Sequence, residues 1–433
     1  MSVETGFWGI GVLFALLFLR VPVALALIAV SFGGIVSLLG VKPALGILSN
    51  TPYSFTASWT MSAVPMFLLM GFVAFHAKLT AGLFDAAKAL LRRVPGALAV
   101  SSIFACSGFA AVCGSSIATA ASMGRIAIPE MVKAGYAPSI AAGAIAAGGT
   151  IGALIPPSIL MILYGVFAET SITKVFLGGI GIGVLTAFSY ASIVMMIAYL
   201  RPDLVPRRPI EDEQISAMEA MRRVWPVLAL IALVFGGLFS GYFTATEAGA
   251  IGAGGAILVS AAVRTLNWEV FKTSLLETLQ TTASLLIIGI GAMMFTRFLG
   301  ITGLSSFIAK QVGAADIGYF QLMFMVVIVY LLLGMVMEPF GAMLVTLPVF
   351  IPLLNAEGIS LVWFGVLVVK LLEIGMITPP VGLNVFVIRN VASEHVTTAQ
   401  IFAGVLPFFL ADLVVVALVI LFPALVLTIP DLM

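Results

Sequence analysis

The sequence GGTIGALIPPSI at residues 148–159 and the sequence LLEIGMITPPVG at residues 371–382 each place a Pro-Pro pair inside a long apolar stretch. A shift of 223 positions superimposes Pro156-Pro157 on Pro379-Pro380. Proline lacks the N–H group of a helical hydrogen bond, so each pair is expected to interrupt a helix. Interrupted helices at matching places in the two halves of an apolar chain are typical of secondary transporters, with substrate and ions bound at the interruptions.

The repeat extends beyond the proline pairs. The same shift carries Gly152 onto Gly375. Pro129 and Pro352 each lie 27 residues before the first proline of their pair. The sequence therefore predicts two structurally related halves.

The composition predicts a protein that lies in the lipid bilayer. Hydrophobic residues make up 62% of the 433 residues and charged residues only 9%, whereas soluble domains carry roughly 25% charged residues. A net charge of +1 provides no basic surface for nucleic acid. The cysteines, Cys106 and Cys113, are expected to be buried thiols, and the two histidines are too far apart for a zinc site. With no enzyme motif in a suitable context, neither catalytic residues nor a cofactor are expected.

Apolar runs of roughly 17–25 residues are long enough to span a bilayer. Two further apolar stretches, at about 97–130 and 318–352, are too long for one helix and carry Gly or Pro near the middle. We interpret these two stretches as re-entrant hairpins. The ten predicted spans lie near residues 6–19, 21–38, 61–77, 138–170, 174–199, 225–241, 246–263, 280–297, 361–388 and 400–428.

Charged residues near the two hairpins predict the membrane face from which each hairpin enters. Arg92 and Arg93 precede the first hairpin and Lys133 follows it, so the positive-inside rule places both of its ends on the cytoplasmic side. The five arginines in residues 201–223 make that segment cytoplasmic too, and counting crossings from it places Glu357, after the second hairpin, outside. The hairpins thus enter from opposite faces, which an inverted repeat requires, and both termini are predicted to be periplasmic.

These assignments divide the chain into three parts. Residues 1–200 form the first inverted repeat, with the hairpin at 97–130 and the broken helix at 138–170. Residues 201–224 form a cytoplasmic linker, and residues 225–433 form the second repeat, with the hairpin at 318–352 and the broken helix at 361–388. Amphipathic surface helices are predicted at Leu83–Leu91, at Glu211–Met221 and, more weakly, at Asn267–Glu277. A solvated loop is the alternative for 201–223.

The broken helices suggest ion sites. The first Pro-Pro pair frees the carbonyl groups of Gly152 and Ala153, and the second frees those of Gly375 and Met376. Such groups are tolerated in a membrane where they face a polar cavity or another partner. A cation is expected to bridge each break to a hairpin tip, at residues 113–119 and 338–342. The alternative is that the prolines only kink packed helices.

Several polar side chains near these features are candidates for the substrate site. Glu338 at the second tip is a candidate ion or substrate ligand, or else an exposed tip residue or a helix cap. Arg125 either binds the carboxylate of an organic acid or extends to the membrane interface. Ser158 and Asn384 follow the two breaks and are further substrate candidates. Spacing on one helix suggests that Lys370 and Glu373 pair, and a structural role is expected for Asp412.

Short motifs along the whole chain resemble the large membrane subunit of TRAP (tripartite ATP-independent periplasmic) transporters. These motifs are GSSIATA at 114–120, IPEM at 128–131, AGGT at 147–150, LIPPS at 154–158, TATEA at 244–248 and TPPVG at 378–382. The resemblance implies an all-α polytopic fold similar to the ion transporter superfamily, with an inverted repeat, two re-entrant hairpins, two Pro-broken helices and an elevator motion. It also implies a bacterial or archaeal inner-membrane location.

The resemblance further implies uptake of small organic acids, such as C4-dicarboxylates or sialic acid, with sodium as the coupling ion. The implied partners are a periplasmic substrate-binding protein (P) and a small four-helix membrane subunit (Q), which is expected to be a separate polypeptide. The family's ion sites carry over to six positions, Ser115, Ser116, Gly152, Gly341, Gly375 and Thr378. A stand-alone organic-anion symporter or exchanger of the same superfamily is the alternative, followed by an ion channel.

Overall fold

The computed structural model describes residues 2–206, 217–314 and 317–432, and these residues are helical almost throughout. Three short 3₁₀ turns lie at Trp59–Ser62, Ile151–Ala153 and Pro430–Leu432. The α-helices of the described residues are α1 Val3–Phe18, α2 Val23–Leu39, α3 Val41–Thr56, α4 Ala63–His76, α5 Ala81–Leu91, α6 Ala97–Cys113, α7 Ser116–Lys133, α8 Pro138–Thr150, α9 Ile159–Phe167, α10 Ile172–Leu200, α11 Ala217–Phe239, α12 Ala245–Ala262, α13 Trp268–Thr302, α14 Leu304–Ala314, α15 Tyr319–Val336, α16 Pro339–Ala356, α17 Leu361–Gly375, α18 Leu383–Val391, α19 Thr398–Leu421 and α20 Ala424–Leu427.

Length and composition make this a multi-span membrane protein. Eight helical segments of the described chain are long and apolar enough to cross a bilayer. Four shorter apolar segments accompany them, among them α6 and the segment Pro138–Ala153. The prediction of an all-α polytopic membrane protein is therefore confirmed.

Each predicted hairpin is a pair of helices joined by two residues. In the first pair, α6 ends before Gly114, whose φ of 60° lies in the left-handed region that glycine adopts without a steric penalty. Ser115 then caps the N-terminus of α7, because its side chain accepts a hydrogen bond from the N–H of Ala118. In the second pair, Met337 and Glu338 join α15 to α16, and Pro339 occupies the first helical position, where its missing N–H costs nothing.

The helix boundaries repeat as the prolines do. Shifting α5, α6, α7, α8 and α9 by 223 positions places each end within two residues of the matching end of α14, α15, α16, α17 and α18. The two-residue connections of the two hairpins coincide under that shift. Both Pro-Pro bonds are cis and follow the ends of α8 and α17.

The two halves interleave in the hydrophobic core. One cluster of buried side chains joins the first hairpin and α8 to α18 and α19. Another joins the second hairpin and α17 to α4, α9 and α13. The crossing of α8 and α19 is close, since a Cβ atom on Gly143 would lie 2.3 Å from the backbone of Gly404.

Two sequence-based assignments need correction. No helix was predicted at 41–56, where Lys42, Pro43 and Pro52 interrupt the apolar pattern, yet α3 occupies this segment. The proposed surface helix Asn267–Glu277 is the start of α13, which continues unbroken for 35 residues because no proline interrupts it. The helix predicted at Leu83–Leu91 is confirmed as α5. The one predicted at Glu211–Met221 lies outside the described residues up to 216, and α11 begins at Ala217.

Candidate functional site

A cavity of about 580 Å³ lies where both hairpin tips meet α4 and α13. Its wall includes the first tip, the second tip at Glu338, the end of α17, and one face each of α4 and α13. Most of the lining is apolar, as in small-molecule sites generally. The polar side chains that line it are Ser115, Ser116, Arg125, Gln280, Thr281, Ser284, Glu338 and Glu373.

The first hairpin tip is bonded to the second broken helix. The hydroxyl of Ser116 donates to the Oε2 atom of Glu373 over 2.5 Å, and both side chains are buried. The predicted pairing of Lys370 with Glu373 is therefore wrong. Spacing along one helix favoured it, but α7 and α19 each offer a closer partner to one of the two residues.

Lys370 instead belongs to a fully buried polar cluster. Its ammonium group donates to the Oδ1 atom of Asp412 over 2.5 Å and to the hydroxyl of Thr186 over 3.1 Å. The hydroxyl of Tyr190 donates to the other oxygen of Asp412 over 2.7 Å and lies 3.2 Å from that of Thr150. This cluster joins α17 to α10, α19 and α8, which gives Asp412 the structural role expected for it.

The first helix break meets the first tip. A Cβ atom on Gly152 would lie 2.8 Å from both the carbonyl oxygen of Ser115 and the hydroxyl of Thr119. One on Gly114 would lie 2.1 Å from the carbonyl oxygen of Pro157. Oxygen atoms of the tip thus gather beside the break, and oxygen is the ligand type that small hard cations take.

The second break differs from its predicted state. The carbonyl groups of Gly375 and Met376 are not free, since they accept hydrogen bonds from the N–H groups of Thr378, over 3.1 Å, and Asn384, over 3.0 Å. Thr378 lies just before the prolines, and Asn384 lies where the chain folds back after them, an arrangement that the loss of a helical bond alone does not predict. Each carbonyl retains a second lone pair.

The glycines of the second half face other partners. A Cβ atom on Gly375 would lie 2.5 Å from the backbone of Gly334 in α15, whereas one on Gly341 would lie 3.1 Å from Val23 in α2. Pro379 and Pro380 are exposed, whereas Pro156 and Pro157 are buried. The sequence repeat therefore does not extend to the surroundings of the two breaks.

Ser158 and Asn384, the two substrate candidates that follow the helix breaks, do not line the cavity. Ser158 caps α9, since its buried hydroxyl accepts from the N–H of Met161 over 3.3 Å. The side chain of Asn384 donates to the carbonyl oxygen of Ala146 over 3.3 Å, and its own Oδ1 atom is buried without a hydrogen-bond partner. Asn384 thus joins α18 to the first half of the chain.

Of the predicted site residues, four line the cavity, namely Ser115, Ser116, Arg125 and Glu338. Glu338 directly precedes α16, but its side chain makes no capping hydrogen bond, so the alternative that it caps the helix is wrong. Sequence reasoning missed the polar face of α13, although its QTTAS segment at 280–284 stands out in an apolar helix. In the described part of the chain, no group of three or more His, Cys, Asp or Glu could hold a metal ion.

Comparison with known proteins agrees with this architecture. Residues 10–425 match the family model described as "Tripartite ATP-independent periplasmic transporter, DctM component". The chain is 34% identical to the C4-dicarboxylate TRAP transporter large permease protein DctM of Pseudomonas aeruginosa, over 91% of this chain and 93% of that protein. It is 30% identical to the sialic acid TRAP transporter large permease protein SiaM of Vibrio cholerae, over 96% of each.

A solved structure supports the fold. The YdaH transporter of Alcanivorax borkumensis superimposes with a TM-score of 0.63 at 20% identity, covering 89% of both chains. At that identity the likeness concerns the fold alone. The family match over nearly the whole length goes further, and this chain belongs to the DctM family, the large permease component of tripartite ATP-independent periplasmic transporters.

Proposed function

We propose that this permease imports a small organic acid, driven by a sodium gradient and supplied by a periplasmic binding protein. The observation that carries the proposal is the cavity at the two hairpin tips, which combines one cationic side chain with several hydroxyl groups. Relatives named for C4-dicarboxylates and for sialic acid support a carboxylate as the substrate class.

The substrate is held, in this proposal, between the tips and α13. Arg125 offers a guanidinium group, which binds a carboxylate through two parallel hydrogen bonds. Ser115, Gln280 and Thr281 offer hydrogen-bonding groups to the hydroxyl or carbonyl groups of an organic acid. Glu338, at the second tip, is the candidate ligand for a cation or a donor group of the substrate.

Sodium is the proposed coupling ion. The oxygen atoms of Ser115 and Thr119 beside Gly152 form one candidate site, with Ser116 adjacent. The break near Gly375 and Thr378, with Gly341 of the second tip, is the second candidate by the sequence repeat. No nucleotide motif is present in the sequence, and the family is described as ATP-independent, which supports an ion gradient as the energy source.

The transport cycle is proposed to be an elevator motion. Residues 1–200 and 225–433 form inverted repeats joined by the linker 201–224, and the hairpins with the broken helices carry the substrate past the other helices. The cavity supports this division, because α4 and α13 form one wall and the tips the other. The proposed partners are a small four-helix membrane subunit and the periplasmic binding protein, in an inner membrane with both termini periplasmic.

Uptake by the complete complex in proteoliposomes tests the proposal. A thermal-shift screen of the cognate binding protein against organic acids selects the substrate. Uptake should then require sodium, and Arg125→Gln should raise the KM for substrate about tenfold or more, as the loss of a charge-assisted pair predicts. The matched control is Arg93→Gln, at an exposed position away from the cavity.

Three outcomes would each contradict a different part of the proposal. Full uptake with choline in place of sodium, at constant membrane potential, would show that the coupling ion is wrong. An unchanged KM in Arg125→Gln would remove that residue from the substrate site. Transport without the binding protein and the small subunit would favour a stand-alone symporter or exchanger.

A further inference from the structure

We infer that Glu373 is a positioning residue, whose carboxylate holds the first hairpin tip in the geometry that binds the coupling ion. The inference rests on the proposed function for the identity of that ion. The contact itself, the hydrogen bond from Ser116 to Glu373, joins residues 257 positions apart, one in each half of the chain.

The contact is strong and shielded. A hydroxyl that donates to a carboxylate forms a charge-assisted hydrogen bond, stronger than one between neutral groups. Ser116 and Glu373 are 4% and 1% exposed, so water competes little for either group. In addition, Glu373 lines the cavity beside the tip.

The helix that carries Glu373 is fixed from its other side. Lys370 lies one turn earlier on α17 and is bonded to Asp412 of α19 and Thr186 of α10. Asp412 therefore neutralises Lys370, which leaves the carboxylate of Glu373 to Ser116. The end of α17 is also packed against α15, where Gly375 meets Gly334. The helix α17 is consequently a rigid support for the first hairpin tip.

Movement at Ser116 is transmitted directly to the candidate ion site. Ser115 precedes it in the chain, and the carbonyl oxygen of Ser115 is one of the atoms beside Gly152. That oxygen accepts hydrogen bonds from the N–H and the hydroxyl of Thr119, over 3.0 and 2.7 Å. Releasing Ser116 from Glu373 should therefore loosen the first turn of α7 and turn this oxygen away from the ion.

Variants that separate charge from hydrogen bonding test the first consequence. In the complete complex, Glu373→Ala and Ser116→Ala should each raise the half-saturating sodium concentration about tenfold, as the loss of a charge-assisted bond predicts. Combining the two should add little, because both remove one bond. Glu373→Gln, which keeps an acceptor, should lie between these variants and the wild type. Glu357→Gln, at an exposed site, is the control.

Thiol labelling tests tip closure without reference to sodium. In a complex whose Cys106 and Cys113 are replaced by serine, Ala118→Cys places a thiol on the first tip, in the cavity wall. Adding Glu373→Ala should increase the rate at which this thiol reacts with a maleimide about tenfold, because losing the bond opens the tip. Adding Glu373→Gln should increase the rate less.

The outcomes distinguish the two proposals. Sodium-independent uptake by the wild type, together with faster labelling in Glu373→Ala, would refute sodium coupling and retain the role of Glu373 in closing the tip. Labelling at the wild-type rate in Glu373→Ala would overturn the inference, whatever the ion dependence. Fully additive effects of Glu373→Ala and Ser116→Ala on sodium affinity would also overturn it.

Discussion

At the scale of single residues, the buried charges in the described part of the chain are either paired or placed at the cavity. Lys370 and Asp412 are fully buried and bonded to each other, whereas Arg125, Glu338 and Glu373 line the cavity. A charged group in an apolar interior is costly unless it is compensated. The pair therefore belongs to the framework, whereas Arg125 and Glu338 are the charged residues that we propose for ions and substrate.

Breaking this buried pair should destabilise the protein more than removing it. Asp412→Asn leaves the ammonium group of Lys370 without a counter-charge, which is expected to cost about 3–5 kcal/mol. Replacing both residues, as Lys370→Met with Asp412→Leu, should recover much of that loss. Thermal unfolding of the detergent-solubilised protein measures the difference, with Lys133→Met at an exposed position as the control. A double variant less stable than Asp412→Asn would contradict this interpretation.

At the scale of elements, proline and glycine positions predicted where the helices around the two Pro-Pro pairs begin and end. Prolines and turn residues act locally, so their spacing in the sequence becomes spacing in the structure. The bond from Ser116 to Glu373 depends on how two distant halves pack, and sequence spacing carries no such information. The helix α3 was missed for a related reason, since its lysine and prolines weaken the apolar pattern while packing against α2 and α13 retains the helix.

The second helix break gives a prediction about the role of backbone geometry. In a variant with Pro379→Ala and Pro380→Ala, the new N–H groups can donate to the carbonyls of Gly375 and Met376 and continue α17. Asn384, whose N–H now bonds to Met376, would then be displaced from the first half. We expect a folded protein, because the two new helical bonds, at about 0.5–1.5 kcal/mol each, replace the bonds that Thr378 and Asn384 now make. This protein should nevertheless have lost sodium-dependent uptake.

The measurements for this variant are circular dichroism, thermal unfolding and uptake in proteoliposomes. The same change at Pro156 and Pro157 is the comparison, because those prolines are buried and their replacement should be less well tolerated. Wild-type uptake and sodium dependence in the Pro379 and Pro380 variant would make this break a packing feature only.

At the scale of the whole molecule, two halves with matching helix boundaries enclose one cavity. The match runs from α5 to α9 in one half and from α14 to α18 in the other, yet the core groups the first hairpin with α18 and α19. Each hairpin is thus supported by helices of both halves. In the proposed elevator cycle, such interleaving would couple a change at one tip to the other half.

The direction of the two hairpins is the remaining test of the inverted repeat. Lys133 ends α7 and Glu357 follows α16, and both side chains are exposed. In a cysteine-free background, Lys133→Cys should react with a membrane-impermeant maleimide only from the cytoplasmic side. Glu357→Cys should react only from the periplasmic side, because the positive-inside rule retains the cationic ends in the cytoplasm. Intact cells and inside-out vesicles provide the two sides of access.

Arg201→Cys serves as the cytoplasmic reference, since it begins the arginine-rich segment and is exposed. The expected labelling from opposite faces would make the shift of 223 positions a symmetry operation that inverts the chain in the membrane. Labelling of both hairpin ends from one face would instead make the halves parallel repeats. A parallel arrangement would leave the two tips without the opposite approach to the cavity on which the elevator proposal depends.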